Sequence, residues 1–403
     1  MGKYFFTIIV RYLITISGLA VFVATSFSFG SEGRGLIAYY QSIFFLVCMI
    51  FSCNLGQLFL AETLKNKQLK SLLLPSFISL NLRVITFSGL ALLSGILFVT
   101  LLFESRPDFR FYCFIFLVPH YTWAVNGNSF FTALDKVSQQ DCIIATTRIF
   151  ILILSAVLIF FGPLNLEYFV ILYGIILSGG AIFEMLWLSK PKPSKSVKFK
   201  IFNKGKWLHL DYLTFNSYPL ILTIVSGYWL EDADLGRLNF VIQLISFIFI
   251  LSVIAGLRSE SYIATTGSIK KLTQIRYLVL GSLFLSIFGI FFILLGISSD
   301  IFVSKFQSFS ELSPYFMLIS LSVPGFLVYK LFHPLLVEKN LIKSFSIFKL
   351  VILFLTILGT IIAMPIYGFI SAIASFAIFY SAVSLGLFVI LQMNKSKKPI
   401  PTN

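Results

Sequence analysis

Six basic residues stand inside, or at the mouth of, long apolar stretches: Arg11, Arg83, Arg148, Arg258, Lys330 and Lys349. The chain around them is 58% hydrophobic, with a mean hydropathy of +0.95. A charge in hydrocarbon costs roughly 2.5–3.5 kcal/mol even on the lenient insertion scale, so it normally faces a cavity or a partner. Cations so placed fit an anion that docks there or passes through. Arginine suits a phosphate better than lysine, because its planar fork donates two parallel hydrogen bonds.

The other groups able to do chemistry are few. Asp211, Glu184 and Glu260 are the acids near apolar stretches, and each fits charge balance or ion coupling. Arg258 and Glu260 are two residues apart and do not share a helix face. His120, His209 and His333 show no metal-ligand spacing, and His120 reads as a buried, hydrogen-bonded histidine. Asn126 and Asn128 read as polar glue between membrane helices, or as contacts for sugar hydroxyls. Cys48, Cys53, Cys113 and Cys142 all lie in or beside apolar runs without a C-x-x-C pair, so the expectation is buried thiols and neither disulfide nor zinc. No phosphate-binding G-x-x-x-x-G-K-[ST] loop occurs, and no cofactor is implied.

The elements that position these groups are membrane spans. Only 12% of the 403 residues are charged and 47 are phenylalanine, whereas soluble domains carry about 25% charged residues. A barrel would show alternating segments of about ten residues, so the class is all-α integral membrane. Runs near the required 20 residues number twelve: 5–29, 36–60, 83–103, 111–133, 142–162, 167–189, 208–229, 238–263, 277–297, 313–336, 345–364 and 367–391. The opening run reads as a retained span, since no cleavage site stands out.

Twelve spans place both termini on one side. That side holds twenty of the lysines and arginines outside the spans, and the other holds five: Arg34, Arg106, Arg110, Arg237 and Lys305. By the positive-inside rule the richer side is cytoplasmic. The net charge of +15 therefore reflects loop topology and not a nucleic-acid partner. Arg11, Arg148, Arg258 and Lys330 then all fall in the cytoplasmic half of their spans, as a one-sided basic vestibule. Arg83 and Lys349 fall at span starts, where a long side chain snorkels to the headgroups. Pro219, Pro324 and Pro334 are candidate kinks in spans seven and ten.

The segment KPKPSKSVKFKIFNKGK (190–206) is the clearest punctuation. It divides residues 1–189, an N-terminal six-helix bundle, from 208–392, a C-terminal one. Residues 190–207 form a basic cytoplasmic linker and 393–403 a cytoplasmic tail. Val197 to Phe202, like the stretch 63–77, reads either as an ordinary cytoplasmic loop or as an amphipathic segment on anionic lipid. A 6 + 6 arrangement is the pattern of transporters built from repeats.

The turn GSEGRGLIAYYQS (30–42), the start of span eight DLGRLNFVIQLI (234–245), and SYIATTGSIKKLTQ (261–274) resemble the Wzx-type O-antigen flippases of the multidrug/oligosaccharidyl-lipid/polysaccharide exporter superfamily. A proline that those proteins carry late in span eight is missing from LRSESYIATT. The resemblance implies two six-helix bundles related by a pseudo-two-fold axis and working by alternating access. It implies a multi-pass protein of the bacterial inner membrane. The implied substrate is an undecaprenyl-diphosphate-linked oligosaccharide, moved from the cytoplasmic to the periplasmic leaflet, with membrane lipids and the pathway's polymerase and chain-length proteins as partners. Arg11, Arg148, Arg258 and Lys330 would meet the diphosphate, and Asp211 and Glu184 would balance charge or couple an ion. The resemblance implies a transporter and not an enzyme. Two alternatives stand beside it: a drug exporter of the same superfamily, which needs a defined acidic site in the first bundle, and a membrane polymerase, which needs a large outer loop.

Overall fold

The computed structural model describes residues 2–65, 69–103, 109–134, 136–161, 165–188, 202–266, 272–299, 312–338 and 341–393; the side chains of Arg11 and Arg258 lie outside the described set. Among the described residues, fifteen α-helices carry the fold. They are α1 (Gly2–Phe51), α2 (Leu55–Lys65), α3 (Leu69–Phe103), α4 (Phe109–Cys113), α5 (Val118–Ala133), α6 (Val137–Phe160), α7 (Leu166–Leu188), α8 (Phe202–Asn216), α9 (Tyr218–Trp229), α10 (Asp232–Thr266), α11 (Leu272–Ile297), α12 (Ser313–Ser320), α13 (Ser322–Glu338), α14 (Ile342–Tyr367) and α15 (Phe369–Met393).

Among the described residues, nine segments are long and apolar enough to cross a membrane. One of them, Tyr12–Leu60, is 49 residues long and makes two crossings. Two further crossings are built from pieces. α4 and α5 join through a 3₁₀ turn, Phe114–Leu117, because Pro119 opens α5 and leaves its predecessors without a continuous ladder. α8 and α9 meet at Ser217, two residues before Pro219. The twelve spans of the sequence are thus present with several ends moved. Pro324 follows the break between α12 and α13, whereas Pro334 sits inside an unbroken α13.

The connection between the first two spans is a single residue. Gly30 has φ 69° and ψ −171°, and α1 is otherwise helical from end to end. That backbone region is essentially restricted to glycine. The expected loop 30–35 is therefore helix, and Arg34, placed in an outer loop by the charge count, is buried at 3% exposure. Its guanidinium lies 4.8 Å from the Phe22 ring centroid, within cation–π range.

Span two breaks where the sequence shows no proline or glycine. Cys53 and Asn54 both take positive φ, 51° and 47°. Asn126 of α5 clamps the break: its Oδ1 accepts from Gly56 N at 3.0 Å, and its Nδ2 donates to Asn81 Oδ1 at 2.8 Å and to Ser52 O at 3.4 Å. Gly56 lets α2 lie against the Asn126 backbone. Asn126 is thus the interhelical glue expected of it.

The helices group into two compact units, Met1–Ile224 and Val225–Asn403. In the first, α1 packs along α6, and α5 is held between α2 and α7. Its centre is aromatic, with Phe44 and Phe111 rings 4.9 Å apart and Tyr40 edge-on to Phe111 at 5.0 Å. In the second, α10 packs on α13 and α13 on α15. Phe249 stacks on Phe326 at 3.8 Å, with Tyr380 edge-on to both. Glycines set the close crossings there: a Cβ on Gly325 would lie 2.6 Å from the Tyr380 carbonyl oxygen. Small residues at such crossings let membrane helices associate by dispersion.

Candidate functional site

The first unit holds a cavity of about 140 Å³ walled by α1, α5, α6 and α7. Arg148 and Glu184, two of the sequence candidates, both line it. α6 begins at Val137, earlier than the expected span, because the polar turn SQQD is itself helical. Arg148 therefore stands eleven residues into its helix, about 16 Å along the axis at 1.5 Å per residue. Gln140, Ile144 and Arg148 recur at a four-residue spacing and present one face of α6 to the cavity. Leu177, Ala181 and Glu184, four and three residues apart, present one face of α7 to it.

Glu184 is 6% exposed and fixed from two sides. Trp123 Nε1 donates to its Oε2 at 2.8 Å and Gln140 Nε2 donates to the same oxygen at 3.0 Å. It acts electrostatically on Arg148 across the cavity. Trp123 is itself held by stacking on Phe130 at 5.5 Å. His120 lines the wall beside Pro119, its backbone N–H donating to Ser178 Oγ at 3.3 Å. Asn128 faces the same space. The cavity thus offers a guanidinium, a carboxylate, an imidazole and amides around a space of about 140 Å³. It suits an anionic or multiply hydroxylated group at Arg148, with Glu184 as the counter-charge.

Arg11 stands on α1 one turn before Ile14, which lines this cavity. Its side chain, like that of Arg258, is outside the described residues. Asp211 is buried on α8 in the same unit but does not line the cavity. The second unit brings the helix of Arg258 against Lys330: Gly256 packs so closely that a Cβ there would lie 2.9 Å from the Lys330 carbonyl oxygen. Lys330 Nζ is 5.4 Å from the Phe326 ring centroid and 5.7 Å from that of Tyr329.

Two placements correct the sequence reading. Lys349 does not snorkel. It is 0% exposed on α14, its Nζ donating to Tyr329 Oη at 3.3 Å and lying 5.0 and 5.2 Å from the Tyr329 and Phe345 ring centroids. α14 turns this face inward, and the aromatic rings supply the negative surface a headgroup would otherwise give. Arg83 is exposed but stands at the middle of the span Leu73–Gly95, not at a span start, because α3 begins at Leu69. Sequence reasoning also passed over Asp141, fully buried in α6, and Tyr329, which touches Lys330, Lys349 and His333. Of the cysteines, Cys48 and Cys113 are buried, Cys53 is half-buried and Cys142 is exposed, so the expectation of four buried thiols holds for two. The linker residues 190–201, with most of the amphipathic candidate Val197 to Phe202, and the tail 394–403 lie outside the described residues.

No protein-family model matches the chain. No curated protein matches it in sequence. Solved structures do match. A multidrug-resistance MATE family transporter of the MOP superfamily in an inward-facing conformation superposes with a TM-score of 0.64 at 12% identity, over 97% of this chain and 100% of that one. A MOP superfamily transporter from Pyrococcus furiosus, described by the reverse polarity of its binding pocket, gives 0.64 at 11% identity, over 97% and 94%. The lipid II flippase MurJ in an inward closed conformation gives 0.62 at 15% identity, over 95% and 87%. Twelve spans in two six-helix bundles are thus the architecture of this all-α membrane protein, and its fold is that of the MOP superfamily transporters.

Proposed function

We propose that this chain carries a lipid-linked oligosaccharide across the bacterial inner membrane, with both termini cytoplasmic. The substrate is an undecaprenyl-diphosphate-linked O-antigen repeat unit, moved from the cytoplasmic to the periplasmic leaflet by alternating access. The observation that carries the reading is Arg148 in a buried polar cavity of a membrane bundle. A diphosphate bearing sugars needs a cationic, hydrated foothold within hydrocarbon, and a guanidinium supplies it bidentately. The fold supports transport, since it is shared with a lipid II flippase and with exporters. The motif resemblance at 30–42, 234–245 and 261–274 supports the finer choice. Arg11, Arg258 and Lys330 are further contacts for the diphosphate in this reading, and Glu184 and Asp211 balance charge or couple an ion.

One observation favours a second reading, export of a small cation or drug. Glu184 is a buried acid in the first bundle, and Asp141 on α6 is a second one. Arg148 in the same cavity weighs against it, because a cationic cargo would meet like charge there. The deciding experiment is a clean deletion in a strain without a second flippase. The expected outcome is loss of surface polymer, with undecaprenyl-linked repeat units accumulating on the cytoplasmic leaflet. Normal surface polymer, together with drug resistance on overexpression, would overturn the lead reading for the second.

A further inference from the structure

α6 and α7 form a second concavity on the face next to the polar cavity. It is an open groove of about 750 Å³. Cys142, Thr146 and Phe150 line it from α6, and Ile175, Gly179 and Phe183 from α7, each set at a four-residue spacing. The lining is overwhelmingly apolar, and Phe150, Ile175 and Phe183 are exposed along two spans that cross the membrane. What fills such a groove in a bilayer is a hydrocarbon chain.

Three features make the site more than a lipid-facing surface. First, groove and cavity are neighbours, since Thr147 and Gly180 line both and stand between them. Second, the wall there is thin. A Cβ on Gly180 would lie 2.5 Å from Thr147 Oγ1, so the absent side chain brings the two helices to direct contact. Third, the groove ends in polarity, where Trp187 Nε1 donates to Gln139 Oε1 at 3.2 Å. A hydrocarbon slot lies on one side of the Thr147–Gly180 wall and the guanidinium of Arg148 on the other. Charge complementarity then selects an amphiphile with an anionic head and a long apolar chain.

We propose that this groove holds the first isoprene units of a polyprenyl diphosphate whose headgroup lies at Arg148, the chain crossing over the Thr147–Gly180 wall. The proposal rests on the transport reading above and names the part of the substrate that sugars do not determine. It makes α6 and α7 a tail-binding element as well as a wall of the headgroup site.

The test uses the full-length protein in lipid nanodiscs with farnesyl diphosphate carrying a diazirine on its terminal isoprene. Photolysis and peptide mapping should place adducts on the Cys142–Phe150 and Ile175–Phe183 segments. Unlabelled farnesyl diphosphate should compete, inorganic diphosphate should compete only at the higher concentrations that fill the Arg148 site without help from the groove, and phosphatidylglycerol should not compete. A Cβ on Gly179 would meet nothing within 4 Å, and Gly179 lines the groove, so Gly179→Leu grows a side chain into it. It should weaken farnesyl diphosphate binding about tenfold through lost apolar burial while leaving inorganic diphosphate binding unchanged. Arg148→Gln should weaken both. Adducts elsewhere, equal competition by phosphatidylglycerol, or unchanged affinity in Gly179→Leu would each overturn the proposal. The two readings fail separately: normal surface polymer in the deletion strain sinks the transport reading even if the groove binds prenyl diphosphate. Accumulated lipid-linked units beside an indifferent Gly179→Leu variant sink only the groove.

Discussion

Glu184 accepts two hydrogen bonds on one oxygen, from Trp123 and Gln140, so its removal strands two buried donors. Glu184→Ala should cost about 2 kcal/mol, the penalty for buried groups left unsatisfied. That corresponds to a fall of about 4–8 °C in apparent melting temperature for a unit of this size. Glu184→Gln keeps an acceptor for Trp123 and should lose less than half as much, as thermal unfolding in detergent would show. Lys349 poses the opposite case. A buried charge is often no more stabilising than an apolar residue of equal volume, so Lys349→Met should leave stability unchanged or raise it, whereas Lys349→Ala opens a cavity and should cost about 2–4 kcal/mol. A large loss in the methionine variant would show that the Tyr329 contact outweighs desolvation. At this scale the sequence was partly legible. Arg148, Glu184 and His120 were singled out as types, and they share one cavity. Arg34 and Lys349 were misplaced because distance from a span end says nothing about which way a helix face turns.

Elements were legible where hydrophobicity alone decides and illegible where side chains decide. Long runs such as Ser313–Leu336 and Phe369–Met393 reproduce the expected spans closely, since length and apolar content suffice for them. The break at Cys53–Asn54 shows locally only as an asparagine followed by Gly56, because what holds it is Asn126, more than seventy residues away in sequence. Asn126→Ala removes the acceptor for Gly56 N–H and should destabilise by about 2 kcal/mol. Its signature should be faster amide exchange confined to residues 52–58. Uniform protection in that variant would mean that the break is intrinsic to α2. α6 illustrates the same lesson: Gln140 and Asp141 made its first turn look like a loop, yet both are buried, and Gln140 Nε2 donates to Glu184 of α7.

For the whole molecule, sequence similarity is nearly silent while the fold is plain, at 10–15% identity to the structures it matches. Membrane insertion constrains span length and backbone satisfaction strongly and residue identity weakly. In the proposed function, transport rests on a few interior groups. Arg148→Ala should lower surface polymer at least about tenfold with normal insertion, since a lost bidentate ionic contact is worth about 1.5–3 kcal/mol; Arg148→Lys should fall between. Full activity in the alanine variant would remove this cavity from the transport path. Gly30→Ala should cost about 1–3 kcal/mol for its glycine-only backbone. That single residue has a wider consequence. With no loop between the first two crossings, any tilt of span one is delivered to span two through two dihedral angles. The pair behaves as a bent crank, whose elbow offers an impermeant reagent little chain to reach, with Glu32 exposed and Arg34 sealed.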